Sequence, residues 1–324
     1  MLGQTLTIVA PVFILIGIGY ALAKFQVLRQ SASEALGQFV FVVAIPVLLF
    51  RTLIGADLSS GVPFSLWASY FLGVGVAWTL GALVIRKGFA RDARAGAIGG
   101  ISAAFANTIM VGLPLVFAVY GEDGLVPLLL IISIHLAVMT ILMAVAMERA
   151  AALDSGTASP PLADLLKGAA RNLVRNPLIL AIVIAFAWRQ TGLEIPEIGM
   201  DVLNRIAATA LPLALLSLGM SLVQYGIRGN VLPGFLLAAV KILIMPVVVF
   251  VAGAFVFQLP PLWTSVATLT ASCPTGANAY IFANRYGTGH AMSANAITVT
   301  TLSAIVTTSL WIWFLDMWFG AGLR

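Results

Sequence analysis

Two short stretches hold residue types capable of chemistry in a chain otherwise poor in them. Thr270-Ala-Ser-Cys-Pro-Thr-Gly-Ala-Asn-Ala279 sets a proline and a glycine inside a lipid-length apolar run, and Asn107-Thr-Ile-Met-Val-Gly-Leu-Pro114 does the same in the first half. Pro274 lacks an N–H and its ring meets the carbonyl of Thr270, while Gly276 leaves helical dihedrals at little cost, so a helix is expected to break there. At membrane depth, freed backbone is tolerated only where it is buried in protein or lines a cavity. The chemistry on offer is therefore binding. Half-helices beginning after Pro114 and Gly276 present N–H groups and a positive dipole end, which suit a carboxylate. Halves ending near Asn107 and Cys273 present carbonyls, which with nearby hydroxyls and amides can hold a cation such as sodium. Asn107, Thr108, Thr275 and Asn278 are the side chains best placed for both tasks, with Gly112, Pro114, Pro274 and Gly276 shaping the breaks. The bland role for such an Asn or Thr is to cap the freed groups and nothing more.

Polar groups elsewhere inside apolar runs are costly and each carries a hypothesis. Lys241 sits about nine residues into its run, about 13 Å of helix from the edge. Its stem either reaches the interface or sets a positive charge in the interior, which attracts an organic anion or stands where another carrier holds a cation. His135 is either an interhelical hydrogen-bonding contact or a functional group. Asn295, Thr298, Thr301 and Thr308 form one polar stripe at helical spacing, as interhelical glue or as an ion or substrate lining. Pro46 and Pro212 read as kinks, and Ser217, five residues after Pro212, is a candidate cavity residue.

The elements that must position these groups follow from composition. The chain has 324 residues, 61% hydrophobic and 9% charged, with a mean hydropathy of +1.06, the profile of a polytopic membrane protein. Charges amounting to +5 are too few and dispersed for a phosphate-tracking face, so nucleic acid is no partner and the lipid bilayer is. A single cysteine gives neither disulfide nor zinc pattern. The first positive charges, Lys24 and Arg29, follow the first apolar run, which reads as a retained span.

Bilayer-length runs fall near 5–24, 34–51, 64–86, 93–120, 125–147, 177–190, 202–225, 232–258, 262–286 and 291–314, ten spans in all. The sixth is short unless it begins at Leu173. The longest connection, 148–176, holds a Ser-Gly-Thr-Ala-Ser-Pro-Pro hinge between two halves, 1–158 and 159–324. Loops after odd-numbered spans hold twelve of the seventeen Lys and Arg residues and the opposite loops four, so odd loops are expected in the cytoplasm and both termini outside. A shift of 166 residues places Pro11 on Pro177, Pro46 on Pro212 and Gly121 on Gly287. Five spans per half make the second copy inverted, and inverted repeats with broken helices at matching positions are the mark of a secondary transporter with a midplane site.

Absences narrow the class. All twelve acids fall in loops or at span ends, which disfavours a proton antiporter built on a midplane carboxylate pair. No Ser/His dyad or paired Asp supports an intramembrane protease, and no phosphate loop or metal cluster supports a pump or an electron carrier. No enzyme, cofactor or metal site is expected.

The pattern Asn107-x-x-x-x-Gly112-x-Pro114, the break Cys273-Pro-Thr-Gly-Ala-Asn278 followed by Ile-Phe-Ala283, and the stretch from Lys241 to Pro246 resemble the auxin efflux carrier family across essentially the whole chain. The resemblance implies an all-α crossed-helix fold like that of sodium/proton antiporters and bile acid symporters. Spans one, two, six and seven would form a scaffold and the other six an elevator-type transport domain. It further implies organic anion substrates, auxin in plants and dicarboxylates in bacteria. Carried onto this sequence, the site falls on Asn107, Pro114, Pro274 and Asn278, with His135 as an addition. Unlike plant members, residues 64–85 carry no charge and the central loop is short, as in a compact bacterial relative. The expectation is a bacterial inner-membrane carrier of a small carboxylate or dicarboxylate, working without a cofactor, coupled to sodium, to protons or to neither, and a homodimer through its scaffold. The rivals are a carrier of neutral or aromatic solutes and a channel or receptor.

Overall fold

In the computed structural model the described residues are 2–55, 64–156, 161, 176–227, 229 and 231–320, and among them the protein is helical, with no strand. The helices are α1 (Leu2–Lys24), α2 (Gln30–Gly55), α3 (Phe64–Gly88), α4 (Ala93–Ala104), α5 (Thr108–Ser155), α6 (Pro177–Thr191), α7 (Glu197–Tyr225), α8 (Leu232–Val256), α9 (Pro261–Ser272), α10 (Asn278–Tyr286) and α11 (His290–Phe319). Seven of them, α1, α2, α3, α5, α7, α8 and α11, are long and apolar enough to cross a membrane, and α6 is a shorter apolar helix. Its 15 residues span about 22 Å at the α-helical rise. Leu173, the proposed earlier start, lies outside the described residues, as does most of the Ser-Gly-Thr-Ala-Ser-Pro-Pro hinge.

Proline placement explains much of the local geometry. Three π-helical turns, 40–44, 108–112 and 240–244, each end two residues before a proline: Pro46, Pro114 and Pro246. A π turn moves the carbonyl partner one residue further back, which accommodates a residue that cannot donate and whose ring would crowd the preceding turn. Pro114 therefore does not start its half-helix, as the sequence suggested. The half begins at Thr108, and the Gly112 N–H bonds the Asn107 carbonyl at 3.0 Å, five residues back. α5 divides at Gly121, whose φ of 61° and ψ of −149° lie outside the helical range. The segment 108–120 completes the first broken helix and 122–155 forms the next.

Two helix ends differ from the sequence reading. α5 continues beyond residue 147 to Ser155, stopping at left-handed Gly156 (φ 68°). The extension has a use, because Asp154 accepts the Ala93 and Arg94 N–H groups at 2.8 and 3.0 Å and so caps α4. α11 runs to Phe319, which places Asp316 in its last turns, buried, rather than beyond the span.

The buried apolar residues form two main cores. One is built mainly from α1, α2, α6, α7 and the first part of α5, with Val266 and Leu269 of α9, Cys273 just past its end and Ile312 of α11 packed into it; the other joins α3, α4, α8, α10, the rest of α5 and the remaining buried residues of α9 and α11. In the first core α1 and α7 cross at backbone contact. A methyl on Gly219 would lie 2.0 Å from the Ile16 carbonyl oxygen, and one on Gly19 would lie 2.2 Å from that of Leu216. Small residues are what permit such an approach between membrane helices, where burial from lipid gives no hydrophobic gain.

Candidate functional site

Both predicted breaks are present, and they meet. The chain leaves the helix after Ala104 in the first half and after Ser272 in the second, and the extended residues pair across the gap as an isolated antiparallel bridge between Ala106 and Thr275. The Asn107 N–H donates to the Pro274 carbonyl and the Gly276 N–H to the Phe105 carbonyl, each at 2.9 Å. Extended backbone that would otherwise be bare is thereby satisfied by its counterpart, as a low-dielectric interior requires. Gly276 permits the approach: a methyl there would sit 2.7 Å from the edge of the Phe105 ring.

Each half-helix on the far side of the crossing starts at this bridge. The Asn107 side chain accepts from the Met110 N–H at 3.1 Å, an N-cap on the segment 108–120. The α10 ladder begins with the Ala279 N–H on the Gly276 carbonyl at 3.1 Å, so the N–H groups of Ala277 and Asn278 stand at the head of that helix. Asn107, Thr108, Gly276, Ala277 and Asn278 line one cavity of about 180 Å³ together with Phe105, Ile132, His135, Ile281 and, from α2, Phe41. No charged side chain is among its lining residues. Two helix N-termini, two amides and an imidazole converge on an otherwise apolar chamber, an arrangement fit to hold a small anion.

His135 is 2% exposed, with its ring 4.8 Å from Phe105, 5.6 Å from Tyr70 and 6.4 Å from Phe71. The Ala106 carbonyl lies beside it, but neither ring nitrogen has a partner in hydrogen-bond geometry among the described residues. Buried imidazole nitrogens normally find partners, so the interhelical-contact role leaves its hydrogen-bonding capacity unexplained, whereas a ligand in the cavity would use it.

The other proposed residues lie behind or away from the chamber. Gly112, Pro114 and Pro274 are buried and belong to the architecture of the breaks. The Thr275 hydroxyl donates to the Ser102 carbonyl at 2.9 Å and its N–H to the Thr300 hydroxyl at 3.0 Å, so it braces the crossing instead of facing the chamber. Thr298 bonds the Gly226 carbonyl at 3.3 Å, and Asn295 is fully buried where α11 meets Gly234 of α8. Thr301 is buried at 5% exposure. None of these three lines the chamber. Lys241 is fully buried and donates to the Ala271 carbonyl, so its ammonium does not reach the interface. Ser217 does not line the chamber either. It exchanges hydrogen bonds with Ser33, tying α7 to α2. Thr300 and Phe41 were missed. Thr300 is adjacent to the Thr298/Thr301 stripe, and only the contact with the break shows which residue of that arc is used. Phe41 is an unremarkable apolar residue in sequence.

A second cavity of about 420 Å³ lies between α2, the 108–120 segment and α7, with Arg51, Asn204 and Pro212 in its wall. Arg51 pairs there with Glu122, just past the Gly121 kink, at 3.1 Å.

Among known proteins, the chain is 28% identical over 313 residues to a Rhizobium meliloti protein named "Putative malonate transporter", covering 93% of this chain and 92% of that one. It is 27% identical over 324 residues to an "Uncharacterized transporter" of Methanothermobacter thermautotrophicus, covering 96% and 98%. A similar match, 24% over 319 residues, is to an uncharacterized transporter of Methanocaldococcus jannaschii. The sequence model described as "Membrane transport protein" matches residues 5–312. With the crossed breaks and the multi-pass helical architecture, that match identifies the chain as a transporter and not an enzyme, a member of the membrane transport protein family to which the auxin efflux carriers belong.

Proposed function

We propose that the protein is a secondary carrier of a small organic anion, a carboxylate or dicarboxylate, across the bacterial inner membrane. The observation that carries this reading is the convergence of Asn107, Asn278 and the heads of two half-helices on one chamber. A carboxylate there would accept from the free N–H groups and from the amides, and charge-assisted bonds of this kind are the strong ones. The volume of about 180 Å³ is below the ~300–1,000 Å³ of drug-sized sites, which favours a substrate of few heavy atoms. A relative whose name specifies malonate points the same way.

In this reading the protein has ten spans in two inverted five-helix repeats, 1–158 and 159–324. Helices α1, α2, α6 and α7 act as scaffold and the others as the moving unit. Phe41, contributed by the scaffold side, forms the wall past which the chamber travels between the two faces. Both termini lie outside, and the scaffold faces pair in a homodimer. The phenyl and aliphatic lining supports a narrower form of the rival reading, in which the anion carries an apolar or aromatic body.

The test is counterflow of radiolabelled malonate in proteoliposomes. Trans-stimulation is expected, and uptake that is indifferent to internal malonate would replace the carrier with a channel. Asn107→Ala and Asn278→Ala are each expected to abolish counterflow while the folded protein is retained; full activity in both would remove the site assignment.

A further inference from the structure

The carbonyl end of α9 raises a question that the anion chamber does not answer. A helix leaves its last four carbonyls without intrahelical donors, and here that end is buried in the bilayer interior beside the crossing. The Leu269 carbonyl receives the Ser272 hydroxyl at 2.8 Å, and the Thr270 carbonyl receives the Cys273 N–H at 3.3 Å. The Ala271 carbonyl receives the ammonium of Lys241, a residue of α8 with no exposed surface. At the matching point of the other break the donor is neutral. Ser102 lies four residues before bridged Ala106, as Ala271 lies four before bridged Thr275. The Ser102 carbonyl is satisfied by the Thr275 hydroxyl of the facing strand. The facing residue for Ala271 is Ala106, whose methyl can donate nothing. A hydroxyl-sized gap in the design is filled by the amino group of a lysine from another helix.

That amino group has no carboxylate partner among the described residues, where the ion pairs are Arg51–Glu122, Arg94–Asp154 and Arg205–Asp201. Its compensation is the negative end of the α9 dipole, the kind of half-helix carbonyl terminus that otherwise coordinates a metal cation in broken-helix carriers. We propose that Lys241 is a tethered cation that occupies the coupling-cation position of this carrier, so that anion binding at the crossing requires no sodium. The inference rests on the anion-carrier reading given above. Lys241 does not line the chamber, so it acts as a positioning and charge-balancing residue and does not contact substrate. Its fixed charge offsets that of a carboxylate entering the same low-dielectric unit, where an uncompensated ion is expensive.

The experiment compares the full-length wild type with Lys241→Ala and with Lys241→Gln, which keeps most of the stem, by thermal unfolding in detergent with sodium chloride or choline chloride at equal ionic strength. Wild type is expected to melt at the same temperature in both salts. Lys241→Ala and Lys241→Gln are expected to melt lower in choline and to recover part of the loss in sodium, because the vacated carbonyl can then be met by a metal ion. A sodium-specific rise in wild type overturns the proposal, as does the absence of any sodium response in both variants. Should neither variant fold, the wild-type arm decides alone. In proteoliposomes, malonate uptake by wild type is expected to be unchanged on replacing sodium with choline, and sodium stimulation would overturn the proposal. The melting readout needs no substrate, so failure of malonate as cargo leaves it intact and counts only against the carrier reading.

Discussion

The two breaks meet at one bridge, yet they are held in different ways. The first is satisfied within the crossing itself. Asn107 caps its own half-helix through the Met110 N–H, and the carbonyl end of α4 takes a hydroxyl from the opposing strand. The second depends on others: its Thr275 N–H goes to Thr300 of α11 and its Ala271 carbonyl to Lys241 of α8, while α10 has no side-chain cap. The lesson is that the amides at the two heads are not equivalent. The Asn107 carbonyl oxygen is committed to structure and leaves its NH₂ for a guest, whereas Asn278 at the head of uncapped α10 can offer its whole amide.

Five substitutions sharpen or break this contrast, in descending order of expected effect. Replacing either Asn107 or Asn278 by Ala removes hydrogen bonds to a charged guest worth about 1.5–3 kcal/mol, or roughly 10- to 150-fold in malonate affinity. Only Asn107→Ala should also lower the melting temperature, because it loses a cap worth about 1 kcal/mol. Equal thermal losses in the two variants would erase the distinction. Gly276→Ala comes next. Its methyl must displace the Phe105 ring, so uptake should fall by about tenfold or more as the chamber deforms, at the ~1–3 kcal/mol expected of overpacking; unaltered uptake and melting would show that the ring has room. Thr275→Val leaves the buried Ser102 carbonyl without its donor, a destabilisation of about 1–3 kcal/mol, seen in thermal unfolding with the malonate affinity of the folded fraction preserved. A pure affinity loss would instead place Thr275 on the substrate. Smallest is His135→Phe, which removes two unpartnered buried nitrogens. Melting should rise slightly or stay level while uptake drops, and a variant less stable than wild type would mean that the imidazole is held by the protein after all.

The breaks were legible because proline and glycine act on backbone geometry directly, wherever the chain goes next. Pro274 and Gly276 ended α9 as expected, and Asn107 sits at the turn. The start of the first far half was misjudged because Pro114 reads as a helix start. A π turn lets the helix begin six residues sooner, and nothing in composition announces an i to i−5 bond except, in retrospect, the proline that follows it. Which helices share a core is not legible in the sequence, since hydrophobicity in lipid-length runs is nearly uniform and does not say which face meets which helix. Which polar residue of an arc is used depends on rotation about the helix axis. For that reason Thr300 was passed over in favour of Thr298 and Thr301, and Ser217 was put in a cavity when it belongs to a pair with Ser33. Lys241 is the reverse case. Its charge was conspicuous, but reach to the interface and reach to Ala271 are equal in sequence, and only the packing of α8 on α9 separates them.

The bridge between Ala106 and Thr275 is made of main-chain bonds, which side-chain replacement other than by proline leaves in place. Parting the two breaks as jaws would sever those bonds where the freed backbone groups have no water to meet them. In the proposed cycle the seam travels whole, and doors on either side of the bilayer open by sliding it along α2 and not by unpicking it. Inhibitors that wedge between Phe41 and the seam would then arrest the cycle from either face, while those that only fill the chamber would compete with cargo.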